Sequence, residues 1–272
     1  MELNKFINIS EYDNLLLQYK IKGGWCNNYM MAAEVDKHIS DGNLFWIFTK
    51  DNLFIFLKKD VCYRLYYCIN NHTESINFEL PDVVTVEILY RGENFYPQEE
   101  ISYLEECGFS VNLVRDFYVG KFSEMNIEKF ELEKEGIKIK IADTEEEISF
   151  AVNLFNTSFD IYTGDFMDIN NAKLFINEKC ISIIYYNGIR LGACHAYEKN
   201  KVFYLAHLAV LPEARGKKLG KILMGEMITR YSINENSRYS LWVQHDNRVA
   251  KNIYKSLGYK YANKSTISLI KK

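Results

Sequence analysis

The sequence predicts a compact, strand-rich α/β protein with room for about two domains. Three observations predict it. With 272 residues, 48% of them hydrophobic, the chain has room for about two domains, each with its own core. An aromatic share of 15% and only three prolines suit a compact, strand-rich fold. From Ile137 onward, strand-type alternation and helix-type periodicity succeed one another along the chain.

In the first half, Ser10 with Asp13 reads as an N-cap and its N3 carboxylate, opening a helix through Leu15, Leu16 and Tyr19. A weaker helical stretch covers Asn28–Ile39. Between Leu44 and Ile69, three aromatic β-rich runs separated by Lys-Asp-Asn and Lys-Lys-Asp predict an antiparallel meander. Val83–Tyr90 reads as a strand. Pro97 then starts a helix that Gly108 ends, and the strand-like VNLVRDFYVG follows. The segment 123–135 is charged and helix-prone, and the domain boundary is expected inside it near Glu133, giving domains 1–132 and 133–272.

In the second half, Ile137–Ile141 alternates as a strand. Asp143 or Thr144 caps a helix with three glutamates in its first turn, where the helix dipole favours them. Ile148, Val152, Phe155 and Phe159 recur at helical spacing and should face the core. Cys180–Tyr186, the turn Asn187-Gly188 and Ile189–Tyr197 read as a hairpin, because Asn-Gly readily takes positive φ. Val202–Leu211 is a strand, and Leu219, Ile222, Leu223 and Met227 form the buried stripe of the helix after it. Tyr239–Gln244 is a strand. Asn247 caps a last helix with Ala250, Ile253, Tyr254 and Leu257 on one face, and Gly258 stops it. Thr266–Ile270 is expected to close the sheet.

Net charge is −3, which gives no global basic field of the kind nucleic-acid binders use. No apolar run approaches the ~20 residues needed to span a bilayer, and the first twenty residues lack a signal-peptide pattern. Six scattered cysteines without a C-x-x-C pair argue against a zinc or redox motif and for reduced thiols in a cytoplasmic protein. Neither nucleic acid nor membrane is expected as a partner, and no metal.

The most informative stretch is YLAHLAVLPEARGKKLGKILMGEMIT, residues 204–229. An apolar strand delivers a Gly-containing turn to a helix start, which aims unpaired backbone N–H groups at one point. Arg215, Lys217, Lys218 and Lys221 add formal charge to the helix dipole, so this is a receptacle for a phosphate-bearing ligand. It is not a P-loop: that motif needs four residues between its glycines, whereas Gly216 and Gly220 enclose three and Ile222 follows Lys221.

Residues 136–272 resemble the GNAT superfamily of acyl-CoA-dependent N-acyltransferases. Three local matches carry the resemblance. HLAVLPEARGKKLGKIL is similar to the family's strand and pyrophosphate loop, Arg/Gln-x-x-Gly-x-Gly/Ala; Arg215 and Gly220 fit, while Lys218 stands where the middle glycine is usual. Asn247-Arg-Val-Ala250 resembles the helix start beside the pantetheine arm. Tyr254-Lys-Ser-Leu-Gly258-Tyr259 resembles the helix end that carries a tyrosine near the coenzyme A sulfur. A fainter likeness extends to the first half: aligning Gly108 on Gly258 sets Pro97 opposite Asn247 and Leu104 opposite Tyr254. The resemblance implies a mixed, largely antiparallel central sheet flanked by helices, in two such domains in tandem, the first copy having lost the cofactor loop and the tyrosine.

The resemblance implies an N-acetyltransferase moving an acetyl group from acetyl-CoA directly to an amine in a ternary complex. Leu208, Ala209, Val210, Arg215, Gly216, Lys217, Lys218, Leu219, Gly220, Lys221, Asn247 and Tyr254 would hold the coenzyme. Tyr254 would protonate the departing thiolate, and the Val210 N–H would serve the oxyanion. From spacing alone Tyr254 is equally an aromatic on its helix's core face. His207, one residue before the cofactor-facing part of the strand, is the candidate base; His195 is a lesser one, and both can instead be hydrogen-bonded core residues. Cys194 has no evident basic partner, and His245 reads as a residue near the helix cap. The acceptor, a small-molecule or peptide amine, would enter near His207 and Cys194 beneath segment 144–179 and the N-terminal domain. Asp160, Asp165 and Asp168 there suit a cationic amine but serve equally as solvated loop residues. The alternative is an acyl-CoA-binding sensor or interaction protein with little turnover. Aminoacyl transfer from tRNA would require a basic channel that the net charge speaks against.

Overall fold

The computed structural model describes residues 3–74, 78, 80, 82–128, 132 and 136–272, with backbone alone for 93, 164 and 165. The chain forms two compact units, Met1–Val114 with Ser265–Lys272, and Arg115–Lys264. The boundary expected near Glu133 falls outside the described residues.

In the first unit the elements are β1 (Asn4–Lys5), α1 (Ile9–Tyr19), β2 (Trp25–Cys26), α2 (Ala32–Ser40), β3 (Leu44–Phe48), β4 (Leu53–Lys58), β5 (Tyr63–Ile69), β6 (Val84–Tyr90) and α3 (Gln98–Glu106). The aromatic meander is β3–β4–β5, antiparallel throughout. Helix α1 starts earlier than expected: Asn8, not Ser10, is its cap, accepting the Glu11 N–H at 2.9 Å. The weak helical stretch forms its helix only from Ala32.

Strands β5 and β6 are parallel but pair only over Tyr63–Leu65 and Val84–Val86. Beyond that they part, and Asn27 fills the fork. Its Nδ2 donates to the carbonyls of Leu65 (3.3 Å) and Glu87 (3.1 Å), and its Oδ1 accepts the Tyr67 N–H at 2.7 Å. Strand β2 lies on the freed edge, Trp25 against Ile69 and Cys26 against Cys68.

In the second unit the elements are the end of β7 (Ser110–Lys121), β8 (Ile137–Ile141), α4 (Glu145–Ser158), α5 (Ala172–Glu178), β9 (Ile181–Tyr186), β10 (Ile189–Lys199), β11 (Val202–Val210), α6 (Leu219–Arg230), β12 (Arg238–Gln244), α7 (Arg248–Ser256) and the start of β13 (Lys260–Lys271). The sheet order is β7-β12-β11-β10-β9-β8, with β11 and β12 its parallel pair. Helices α6 and α7 pack one face, around Leu219, Leu223, Met227, Tyr254 and Leu257. Helices α4 and α5 pack the other, around Ile148, Val152, Phe155, Ile183 and Ala193.

Two expectations are corrected here. Thr266–Ile270 closes a sheet, but the first unit's: Ser265–Lys271 runs antiparallel to Val84–Tyr90. The corresponding place beside β12 is taken by Arg115–Lys121, the residues that follow α3. In segment 123–135 the described residues form no α-helix, only the 3₁₀ turn Phe122–Glu124. Its backbone is claimed elsewhere: the N–H groups of Phe122, Ser123 and Asn126 donate to Ser237, Glu235 and Leu257. Such tertiary bonds outweigh a propensity of a few tenths of a kcal/mol per residue (about 0.7 at most for ordinary residues). No helix among the described residues is long and apolar enough to cross a membrane.

Candidate active site

Strand β11 pairs with β10 along its whole length but with β12 only over Val202–Leu205, against Arg238–Leu241. The two parallel strands then part, as β5 and β6 do. A bulge opposite His195 and Ala196 leaves Ala206 unpaired and rephases the strand. Before it, Phe203 and Leu205 face the α6–α7 core; after it, Leu208 and Val210 do, while His207 and Ala209 turn toward α4. The Leu211 N–H donates to Leu191 on β10 at 2.8 Å. Because backbone groups alternate along a strand, the N–H and C=O of Leu208 and Val210 point the opposite way, into the fork.

The turn after β11 builds the second wall. Pro212–Ala214 is a 3₁₀ turn, Arg215 is extended, and Gly216 takes φ +83°, a conformation glycine adopts without strain. Lys218 caps α6 with φ +58°, a left-handed conformation that glycine takes most easily and that lysine holds at some conformational cost. No side chain caps the helix, and its first backbone bond is Ile222 N–H to Lys218 C=O at 3.0 Å. The N–H groups of Leu219, Gly220 and Lys221 therefore have no helical acceptor and converge beside the fork.

Helix α7 supplies the third wall. Asn247 caps it, its Oδ1 accepting the Ala250 N–H at 3.0 Å. Together these walls enclose a cavity of about 370 Å³. Leu208, Ala209, Val210, Arg215, Gly220, Asn247 and Tyr254 all line it, so seven of the residues singled out from sequence come together. A methyl added at Gly220 would sit 3.7 Å from Val210 Cγ2, an ordinary contact, so glycine leaves that space open to the cavity.

The other five do not line it. Leu219 is core. Lys217 Nζ lies 5.0 Å from the Tyr186 ring centroid, and Lys221 pairs with Glu128 at 2.6 Å. Gly216 and Lys218 belong to the turn itself. For this group the backbone, not the side chain, is what reaches toward the cavity's edge.

Tyr254 is 7% exposed, and burial, reinforced by the neighbouring Cys194, pushes its phenol well above the ordinary value of 10. Among the described residues no protein group partners its hydroxyl. It is thus a protonated donor on a cavity wall. Cys194 is buried, and burial drives its thiol up, which leaves it inert as a nucleophile.

His207 is buried between Phe155 (rings stacked, 5.0 Å) and Phe159 (edge-on, 5.2 Å). Its Nδ1 lies 3.3 Å from His195 Nδ1, so one ring donates and the other accepts. Burial, with His207 nearby, lowers His195 to about 3 and keeps it neutral. His207 does not itself line the cavity, whereas Phe159, whose ring meets it edge-on, does. His245 lies at Asp116, Nδ1 to Oδ2 3.1 Å, beside Lys251, which reaches the same carboxylate at 2.6 Å. Asp160 and Asp168 cap turns, accepting N–H groups of Tyr162 and Thr163, and of Asn170. Among the described residues no group of His, Cys, Asp or Glu could hold a metal ion.

Val249 and Ala250, within the stretch likened to the helix start beside the pantetheine arm, also line it, whereas sequence reasoning missed Ser158, Phe159 and Ile253 as cavity walls. Phe159 continues α4's apolar stripe in sequence, yet it follows the helix in extended conformation and so reaches the cavity.

The parted parallel strands, the N–H-rich start of α6 and the buried Tyr254 phenol thus border one cavity of an α/β domain. Residues 148–259 match the model of the Acetyltransferase (GNAT) family. Solved structures agree on the fold. A GCN5-related N-acetyltransferase from Sphaerobacter thermophilus is 14% identical, with a TM-score of 0.59 over 89% of this chain and 86% of its own. One from Kribbella flavida is 14% identical, TM-score 0.54, over 90% and 96%. A tandem GNAT protein from the clavulanic acid biosynthesis pathway is 9% identical, TM-score 0.57, over 99% and 97%, which supports two such domains here. Among curated proteins none matches the chain.

Proposed function

We propose that the second unit moves an acetyl group from acetyl-CoA directly to an amine within a ternary complex. One observation carries the reading: the fork beside β11, where the backbone of Leu208 and Val210, the N–H row of α6 and the hydroxyl of Tyr254 border one cavity. The pyrophosphate suits the N–H groups at 216–221 and Arg215. The pantetheine amides suit the free edge of Leu208 and Val210 as an added strand would. The donor would bind the second unit alone, because Asn27 and β2 occupy the corresponding fork of the first.

The amine nitrogen attacks the thioester carbonyl, and the Val210 N–H stabilises the oxyanion that forms. The intermediate collapses by breaking the carbon–sulfur bond, and Tyr254 gives its proton to the leaving sulfur. Among the described lining residues no carboxylate or imidazole stands on the cavity to take the amine's proton. The amine's proton therefore leaves through water, toward His207 or bulk solvent. Cys194 is too buried for a covalent route, which favours direct transfer.

Incubating the chain with acetyl-CoA and a panel of amines, with products read by mass spectrometry, tests this. Acetylated amine and free coenzyme A in equal amounts are expected. Tight binding of acetyl-CoA with no product from any amine would instead favour a sensor.

A further inference from the structure

The second unit holds a larger cavity, of about 900 Å³, which the acyl-transfer reading does not use. Its floor is the sheet face turned away from α6 and α7: Phe117 and Val119 of β7, Val202 and Tyr204 of β11. Their sequence neighbours Tyr118, Phe203 and Leu205 point into the α6–α7 core, so strand alternation sets the floor residues on the opposite face. None of them joins the cluster packed by α4 and α5, and all four keep some solvent exposure.

Cations ring that apolar floor. Lys121, Lys199 and Arg238 line the cavity, and Lys121 acts electrostatically on Glu124. Lys264 Nζ stands 5.0 Å from the Phe117 ring centroid and 5.4 Å from that of Trp242. Lys260 pairs at 2.5 Å with Glu124, the one carboxylate among the described lining residues. The lining's charge therefore runs opposite to the chain's overall −3. Like charges gathered around a low-dielectric concavity focus the field and draw anions in. A small hydrated anion gains nothing from Phe117, Val119 and Tyr204, whereas an anion with an apolar body covers them.

We propose that this cavity is a binding site for an aromatic organic anion, its ring over Phe117 and Tyr204 and its acidic group toward Arg238 and Lys121. The site is independent of the acyl-transfer reading, since it shares no lining residue with the smaller cavity.

The test is to titrate the full chain with naphthalene-2-sulfonate and, as the charge-reversed control, 2-naphthylmethylammonium, following probe fluorescence. One saturable site is expected, at least tenfold tighter for the sulfonate. Arg238→Gln and Lys199→Glu, both exposed positions whose variants should fold, are expected to weaken it several-fold each while thermal melting stays unchanged. Equal binding of the two probes, or wild-type affinity in both variants, would overturn the proposal. So would sulfonate binding that is lost in Arg215→Glu but kept in Arg238→Gln, which would put the probe in the smaller cavity and leave acyl transfer untouched.

Discussion

Replacing Tyr254 by phenylalanine removes one oxygen and keeps the ring that packs against Tyr259 and the α6–α7 core. No described residue hydrogen-bonds that hydroxyl, so the fold loses no bond, and the stability change should stay within about 1 kcal/mol. The chemical step should suffer far more. A positioned acid contributes about 10²–10⁴-fold, or roughly 2.7–5.4 kcal/mol of barrier. The variant is therefore expected to bind acetyl-CoA as the wild type does, melt within a few degrees of it, and turn over at least a hundredfold more slowly. Thiol release followed with a chromogenic disulfide gives kcat, and calorimetry gives donor affinity separately. Because burial raises the Tyr254 pKa above 10, its deprotonation should not cut the wild-type rate anywhere between about pH 6 and 9. A Tyr254→Phe enzyme within threefold of wild-type kcat would refute the assignment of the acid.

Gly220→Val should narrow the smaller cavity without touching the core, lowering acetyl-CoA affinity at least tenfold in calorimetry while the melting temperature holds. Glu147 is pushed up by burial, but Lys140 at 2.7 Å, Tyr185 and the Asp143 N–H outweigh this and bring it from 4.5 down to about 2. A depressed carboxylate stabilises the fold above its unfolded pKa and loses that contribution as pH falls toward the folded one. Glu147→Gln is thus expected to cost about 1–3 kcal/mol at pH 7, after discounting for solvent screening, and only about a quarter of that at pH 2.5, as read by urea melts. Asn27→Ala breaks three bonds in the first unit's fork and should destabilise the chain by about 2–4 kcal/mol in the same assay. Cys26, half-buried and lowered by a hydrogen bond from Cys68, should be the first of the six thiols to alkylate at pH 7, as peptide mapping would show.

The turns and caps around the smaller cavity were legible because their signals are local. Gly216, Lys218, Gly220, Asn247 and Gly258 mark turns and caps by what each backbone position demands, and neighbouring residues suffice to read them. Strand partnership is not local. The alternation of Thr266–Ile270 looks the same whichever sheet receives it, so nothing in those residues says that they pair with β6. His207 was hard for a related reason. One unpaired residue, Ala206, turns its ring toward α4 and against His195, and a bulge leaves no mark in the strand's hydrophobic pattern. Phe159 and the cationic cavity are assembled from segments far apart in sequence, with no motif to announce them. At Asn8 and Ser10 two good caps stood two residues apart, and propensity alone does not separate them.

The central claim is that the fork beside β11 and the start of α6 hold one coenzyme A thioester per chain. Calorimetric titration of the full chain with acetyl-CoA measures this most directly. One site per chain is predicted, with affinity falling at least tenfold in Arg215→Ala. No heat at saturating acetyl-CoA, or a second equivalent site surviving that substitution, would contradict it.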